Sequence, residues 1–178
     1  MEHYGGKELA AAFRTVRKNT IQVAEDIPEE KYSFQPTPES RTVAQTLAHI
    51  TYSPGFHFHI QGGKVTNMAT VNFPELMQKL TTEESKPRTK AELVAALRSE
   101  GERFASFLEN LPDAFLAETV TMAPGGSPAS RTRFDMLLAA KEHEMHHRAQ
   151  LMLIERMVGV VPHLTRQRQE FMARAQRS

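Results

Sequence analysis

His143 and His147 stand four residues apart in the stretch KEHEMHHRAQL, Lys141 to Leu151. In a helix that spacing puts two imidazoles on one face, one turn apart, where they can grip a single metal ion. A site for a zinc-like metal usually takes a third ligand. The chain offers one far upstream, His49 in RTVAQTLAHIT. There is no cysteine, which excludes disulfides, thiolate ligands and a cysteine nucleophile and leaves nitrogen and oxygen to hold a metal. Imidazole ligands suit zinc, nickel, iron or copper. Three of them leave a coordination position open, as catalytic sites do and structural sites do not. An ion so held can lower the pKa of a water or take a substrate thiolate directly.

The stripe that carries the pair, Met136, Ala140, His143, His147, Gln150 and Ile154, is mainly apolar and is predicted to face a helical interior. One histidine there would read as a buried, hydrogen-bonded core residue. Two at this spacing, both needing partners in apolar surroundings, read as ligands. His146 lies roughly 100° around the helix and reads as a surface or dimer-interface residue. Glu142 and Glu144 read as solvated or paired with Lys141 and Arg148. His49 alone would be an ordinary structural histidine. His57 and His59 alternate with Phe56 and Phe58 in a stretch of ambiguous structure and are substitute ligands or pocket wall. Tyr52, His57 and His59 are the candidates for a general base. His3 and His163 have no pattern around them.

The string from His143 to His147 also satisfies H-E-x-x-H, the zinc-protease signature, with Glu170 as a conceivable distant ligand. No G-x-x-H continuation follows, and little upstream reads as the sheet on which such proteases bind peptide. A ferritin-like di-iron centre needs two Glu-x-x-His copies, and Glu144 with His147 is the only one. Phosphate-binding glycine loops are absent, and Gly125 to Pro128 is turn chemistry.

The elements that must position these residues are helices. Leu9, Phe13, Val16, Ile21 and Val23 recur at helical spacing until Pro28. YSFQPTPES reads as an extended linker. Thr42 and Gln45 form a capping-box pattern opening a helix with Val43, Leu47 and Ile50, broken by Pro54. A short helix is predicted from Pro74 to Leu80 and a long one from Lys90 to Leu111. ETVTMAPGGSPASRTR reads as a short extended excursion. A long helix then runs from about Thr132 to Val158, and a last one from about Thr165 to Ala175. The expected architecture is all-α, one domain over residues 1–178: a four-helix up-and-down bundle with a long crossover and short extra helices.

The net charge is +1 among 178 residues, which gives no case for nucleic acid or a membrane surface as partner. Arg166, Arg168, Arg174 and Arg177 read as a solvated helix face. No apolar run nears about 18 residues and the N-terminus lacks an apolar signal core, so a soluble, cytoplasmic protein is expected.

RTVAQTLAHIT resembles the early helix of the DinB-like family, with its cap, its acidic or amide residue three positions on, and a histidine near the helix end. HEMHHRAQL resembles that family's late-helix signature, two histidines four apart followed by Arg, a small residue, Gln and Leu. Arg41 stands where the family commonly has a tryptophan. The resemblance covers most of the chain. It implies a four-helix bundle with one long crossover, a divalent metal on His49, His143 and His147, and frequent homodimers. The family includes thiol-dependent transferases and isomerases. The expected function is therefore a metal-dependent enzyme acting on a small molecule, with an external low-molecular-weight thiol as the most concrete nucleophile. The alternatives are a non-catalytic metal-holding stress protein and a metal-dependent hydrolase.

Overall fold

The computed structural model describes residues 4–177, so His3 lies outside the described residues. Helix α1 spans Gly6–Asp26. A linker then leads to α2, Val43–Tyr52. Two further long helices, α5 (Lys90–Glu109) and α7 (Arg133–Met157), complete the bundle. Between α2 and α5 run α3 (Pro54–His57), a π-helical turn over Phe58–Gly62, and α4 (Phe73–Glu84). Between α5 and α7 lie α6 (Asp113–Leu116) and an antiparallel ribbon of β1 (Thr119–Thr121) and β2 (Ser130–Thr132). Helix α8, His163–Ala175, follows. α1 and α2 each pack on both α5 and α7, so α1 faces α2 across the bundle. The long crossover is the segment from α3 to α4.

Local chemistry sets the helix starts. Thr42 accepts from the Gln45 amide at 3.1 Å, and the Gln45 side chain accepts from the Thr42 amide at 2.9 Å. This reciprocal cap satisfies two donors that a helix start leaves free. Thr89 with Glu92 repeats it at α5, and Thr132 caps α7. Gly6 allows α1 to approach the end of α5: a Cβ there would fall 2.5 Å from the Leu108 carbonyl oxygen.

The core falls into three clusters. One joins Ile21, Ala24, Val43, Leu47, Leu93, Leu97 and Leu151 at one end of the bundle. A second joins Phe13, Phe104, Leu108 and Leu137 at the other. A third, Ile60, Met68, Leu76, Val120 and Met136, seats the crossover and ribbon against α7. Between the first two lies a polar clasp. The Arg17 guanidinium on α1 donates to Glu144 on α7 at 2.9–3.1 Å. It also donates to the Leu97 carbonyl on α5 at 2.9 Å and the Ile50 carbonyl on α2 at 3.2 Å. One side chain thus ties all four bundle helices together, which rewards burying its charge. Gly101 makes room for it, because a Cβ there would sit 2.7 Å from Arg17 Cγ.

Two expectations need correction. Glu144 is neither solvated nor paired with Lys141 or Arg148; it is 2% exposed and bound to Arg17. The stretch of ambiguous structure after Pro54 is helical from Gly55 to Gly62: α2 does end before Pro54, at Tyr52, but Pro54 also occupies the first turn of α3, where its missing N–H costs no hydrogen bond. The Gln61 side-chain Oε1 in the π-helical turn accepts from buried Arg133 at 2.9 Å, which pins that turn to the start of α7. Helix α4 also runs four residues past the expected Leu80, to Glu84, and that extension matters to the site.

Candidate metal centre

His49 comes from the last turn of α2, and His143 and His147 from the middle of α7. The residue after His49, Ile50, and the residue after His143, Glu144, both bind Arg17. The clasp therefore holds the two histidine-bearing helices at the level of the site. His143 Nε2 lies 3.0 Å from His49 Nε2 and 3.2 Å from His147 Nε2, and the three ring centroids are 4.6–4.8 Å apart. Among the described residues, this trio is the one group of three ligand-type side chains close enough to share a metal ion.

The partners on the far side of the rings fix their protonation. His49 Nδ1 donates to the Glu84 carboxylate at 3.0 Å, since a carboxylate only accepts. His147 Nδ1 donates to Gln150 Oε1 at 2.8 Å, while the Gln150 amide nitrogen donates to His146 Nε2 at 3.2 Å. In the neutral form of each ring, the Nε2 atom facing His143 is then a lone pair. His143 Nε2 carries at most one proton, so hydrogen bonding satisfies only one of its two short contacts. A cation at the centre satisfies all three. Two nitrogens bound at about 2.1 Å in tetrahedral geometry stand about 3.4 Å apart, close to the observed separations. Burial, then the charges of His147 and His49, lowers the His143 pKa to about 4. Burial likewise lowers that of His147. Both rings are thus neutral at pH 7, the form a metal takes. The donor set fits a divalent ion.

A cavity of about 730 Å³ opens beside His49 and His143. Its walls are Pro54, Phe56, Met68, Phe73, Met77, Leu80, Met122 and Met136 from the crossover, the ribbon and α7. His57 lines it; Tyr52 and His59 do not. The Tyr52 ring carries the Arg88 guanidinium at 4.5 Å, and His59 is exposed. His57 is thus part of the pocket wall, while the close group of ligand-type side chains among the described residues is His49, His143 and His147. His146 is exposed, hydrogen-bonds to Gln150 and sets its ring edge-on to His147 at 4.9 Å. His163 is buried with Nε2 3.2 Å from Asn19 Oδ1. Glu170 is exposed on α8. The protease reading loses its general base, because both oxygens of Glu144 accept from Arg17.

Sequence reasoning missed Glu84, the carboxylate that orients His49. Its only trace was the polar continuation of α4 beyond Leu80. Among the described residues, no helix is long and apolar enough to cross a membrane.

Comparison with known proteins agrees with this geometry. The protein YjoA of Bacillus subtilis (strain 168) is 24% identical over 154 residues, covering 85% of this chain and 90% of YjoA. Its crystal structure, described as that of a DinB-like protein, superposes with a TM-score of 0.62, covering 85% of this chain and 92% of that one. The structure of YfiT from Bacillus subtilis, described as a probable metal-dependent hydrolase with an unusual four-helix bundle topology, gives 0.66 at 16% identity, covering 90% and 91%. A protein of Clostridium difficile 630 gives 0.64 at 16% identity, covering 89% and 99%. The profile of the DinB superfamily matches residues 12–151, from within α1 through both histidine helices, and the chain belongs to that superfamily.

Proposed function

We propose that this protein is a metal-dependent enzyme that acts on a small molecule, with one divalent ion, zinc, nickel or iron, held by His49, His143 and His147. The observation that carries the reading is the convergence of three Nε2 atoms, those of His49 and His147 standing 3.0 and 3.2 Å from that of His143, with the far nitrogens of His49 and His147 held by Glu84 and Gln150. The ion would supply Lewis acidity, lowering the pKa of a nucleophile brought beside it. The chain's own residues do the rest. Glu84 holds the His49 ring in register and strengthens its basicity. The Arg17–Glu144 clasp keeps α2 and α7 at a fixed separation. The apolar cavity beside His49 and His143 excludes water from the bound substrate.

With no cysteine in the chain, a thiol nucleophile comes from a small-molecule cosubstrate, and thiol transfer is the first reaction class to test. Hydrolysis is the second, favoured by the description of YfiT as a probable metal-dependent hydrolase. A cobalt-substituted form separates the two. Under the transferase reading its visible bands shift when low-molecular-weight thiols are added. Under the hydrolase reading they do not, and ester or amide cleavage proceeds without thiol. Neither response overturns the enzyme reading in favour of a metal-holding protein.

We also propose a homodimer. Leu137 and Leu138, which follow the apolar stripe on α7, pack into the chain's own core. The support lies instead in Met145, Leu153 and Met157, an exposed stripe at helical spacing along α7. Light scattering should give twice the chain mass of 20.1 kDa; a single-chain mass at all concentrations refutes it.

A further inference from the structure

We infer that the cavity beside the three histidines binds an uncharged, largely apolar organic molecule whose one polar group is held by the His57 imidazole. The inference rests on the reading of the neighbouring histidines as a catalytic metal site, and it adds the class of substrate.

The walls argue for an apolar body. Four methionines, Met68, Met77, Met122 and Met136, line the space with Phe56, Phe73 and Leu80. Methionine is flexible and polarisable, so such a lining adapts to flat or branched hydrocarbon. Its volume, about 730 Å³, is that of a site for a metabolite- to drug-sized ligand.

The charged groups argue against an ionic substrate, because each one on the wall already has a partner. Glu84 binds His49 at 3.0 Å, Glu144 binds Arg17 at 2.9 Å, and Arg131 binds Asp135 at 2.5 Å. The Ser53 hydroxyl donates to the Ile50 carbonyl. An anion would meet Arg131 with its charge already balanced by Asp135, and a cation would meet glutamates already paired.

His57 differs from all of these. It is 9% exposed, its ring lies among Phe56 and Phe104, and its Nδ1 has no hydrogen-bond partner. That nitrogen carries no exposed surface, so a hydroxyl, carbonyl or amide on the ligand meets the other ring nitrogen, Nε2, which donates or accepts according to the tautomer. The surrounding π-helical turn, pinned by Arg133 to Gln61, follows His57 directly. Such local distortions recur at functional sites.

Equilibrium dialysis of the full chain with 1-naphthol, naphthalene and 1-naphthoate tests this. The expected order is 1-naphthol tightest, naphthalene weaker by about tenfold, the size of one buried hydrogen bond, and 1-naphthoate weakest. His57→Phe, which keeps the ring, should erase the preference for 1-naphthol and bind naphthalene as well as the wild type does. Ala139→Phe, which narrows the cavity, should weaken all three. Dialysis before and after chelation, with metal content measured alongside, separates this inference from the metal reading. A chain that holds metal but binds no naphthyl probe overturns the cavity assignment alone. A chain that holds no metal but shows the expected order overturns the metal reading alone. Tightest binding of 1-naphthoate, or a preference for 1-naphthol that survives in His57→Phe, overturns the inference.

Discussion

Helix α7 buries two glutamates about three turns apart, and they meet opposite fates. Glu144 is 2% exposed and both of its oxygens accept from Arg17. Glu155 is fully buried and neither of its oxygens has a partner. Its pKa is pushed up to about 7, by burial first and the nearby Asp26 second, against the pull of Arg166 and Arg156. The first glutamate neighbours His143 and carries a charge that fastens four helices. The second lies past the site and is accommodated as a neutral acid. On one helix, the charge is retained where it positions the metal ligands and suppressed where it positions nothing.

The strongest way to break the comparison is at the clasp. Glu144→Gln leaves the buried Arg17 guanidinium without its counter-charge, and such losses cost about 3–5 kcal/mol. Urea unfolding should show a fall of that order. A loss below about 1 kcal/mol would mean that Glu144 is no better placed than Glu155. Metal affinity should fall in the same variant even where it remains folded, because α2 and α7 share the clasp.

Glu84 sharpens the comparison, since it is a second carboxylate that acts through a partner. Glu84→Gln should reduce metal affinity about 10–100-fold with little change in stability. Competition with a chromophoric chelator reads this directly. An unchanged affinity would reduce the His49–Glu84 contact to a surface pair.

Glu155 yields the smaller effect, of opposite sign. Its raised pKa means that the folded chain keeps a proton which the unfolded chain releases. Folding stability is therefore lost as pH rises from 4.5, the ordinary value, to about 7. Glu155→Gln mimics the protonated form and should be more stable than wild type by about 1–2 kcal/mol at pH 8. The difference should vanish below pH 4.5. Equal stabilisation at both pH values would show that packing, not proton binding, separates the two glutamates.

The sequence made the histidine pair legible because its spacing and its apolar stripe are properties of one helix. The capping box at Thr42 was local in the same sense. Glu144 was not legible, because its partner lies 127 residues away and its neighbours Lys141 and Arg148 offered nearer charges. Two irregularities pointed to the clasp: Arg17 within the apolar pattern of α1, and Gly101 inside that of α5. Each alone has ordinary explanations, and only the fold brings the Arg17 side chain against the Gly101 backbone. Pro54 is legible as the end of α2, but proline fits a helix start as well as a helix end, and the order of the segment holding His57 was not legible. The crossover likewise hid Glu84, 35 residues from His49.

The central claim is that three imidazoles share one ion. Elemental analysis of purified wild type and of single alanine variants at His49, His143, His147 and His146 tests it most directly. The account predicts about one divalent ion per chain in wild type and His146→Ala, and sharp loss in His143→Ala, His147→Ala and His49→Ala. A full complement of metal in His147→Ala together with loss in His146→Ala would contradict it.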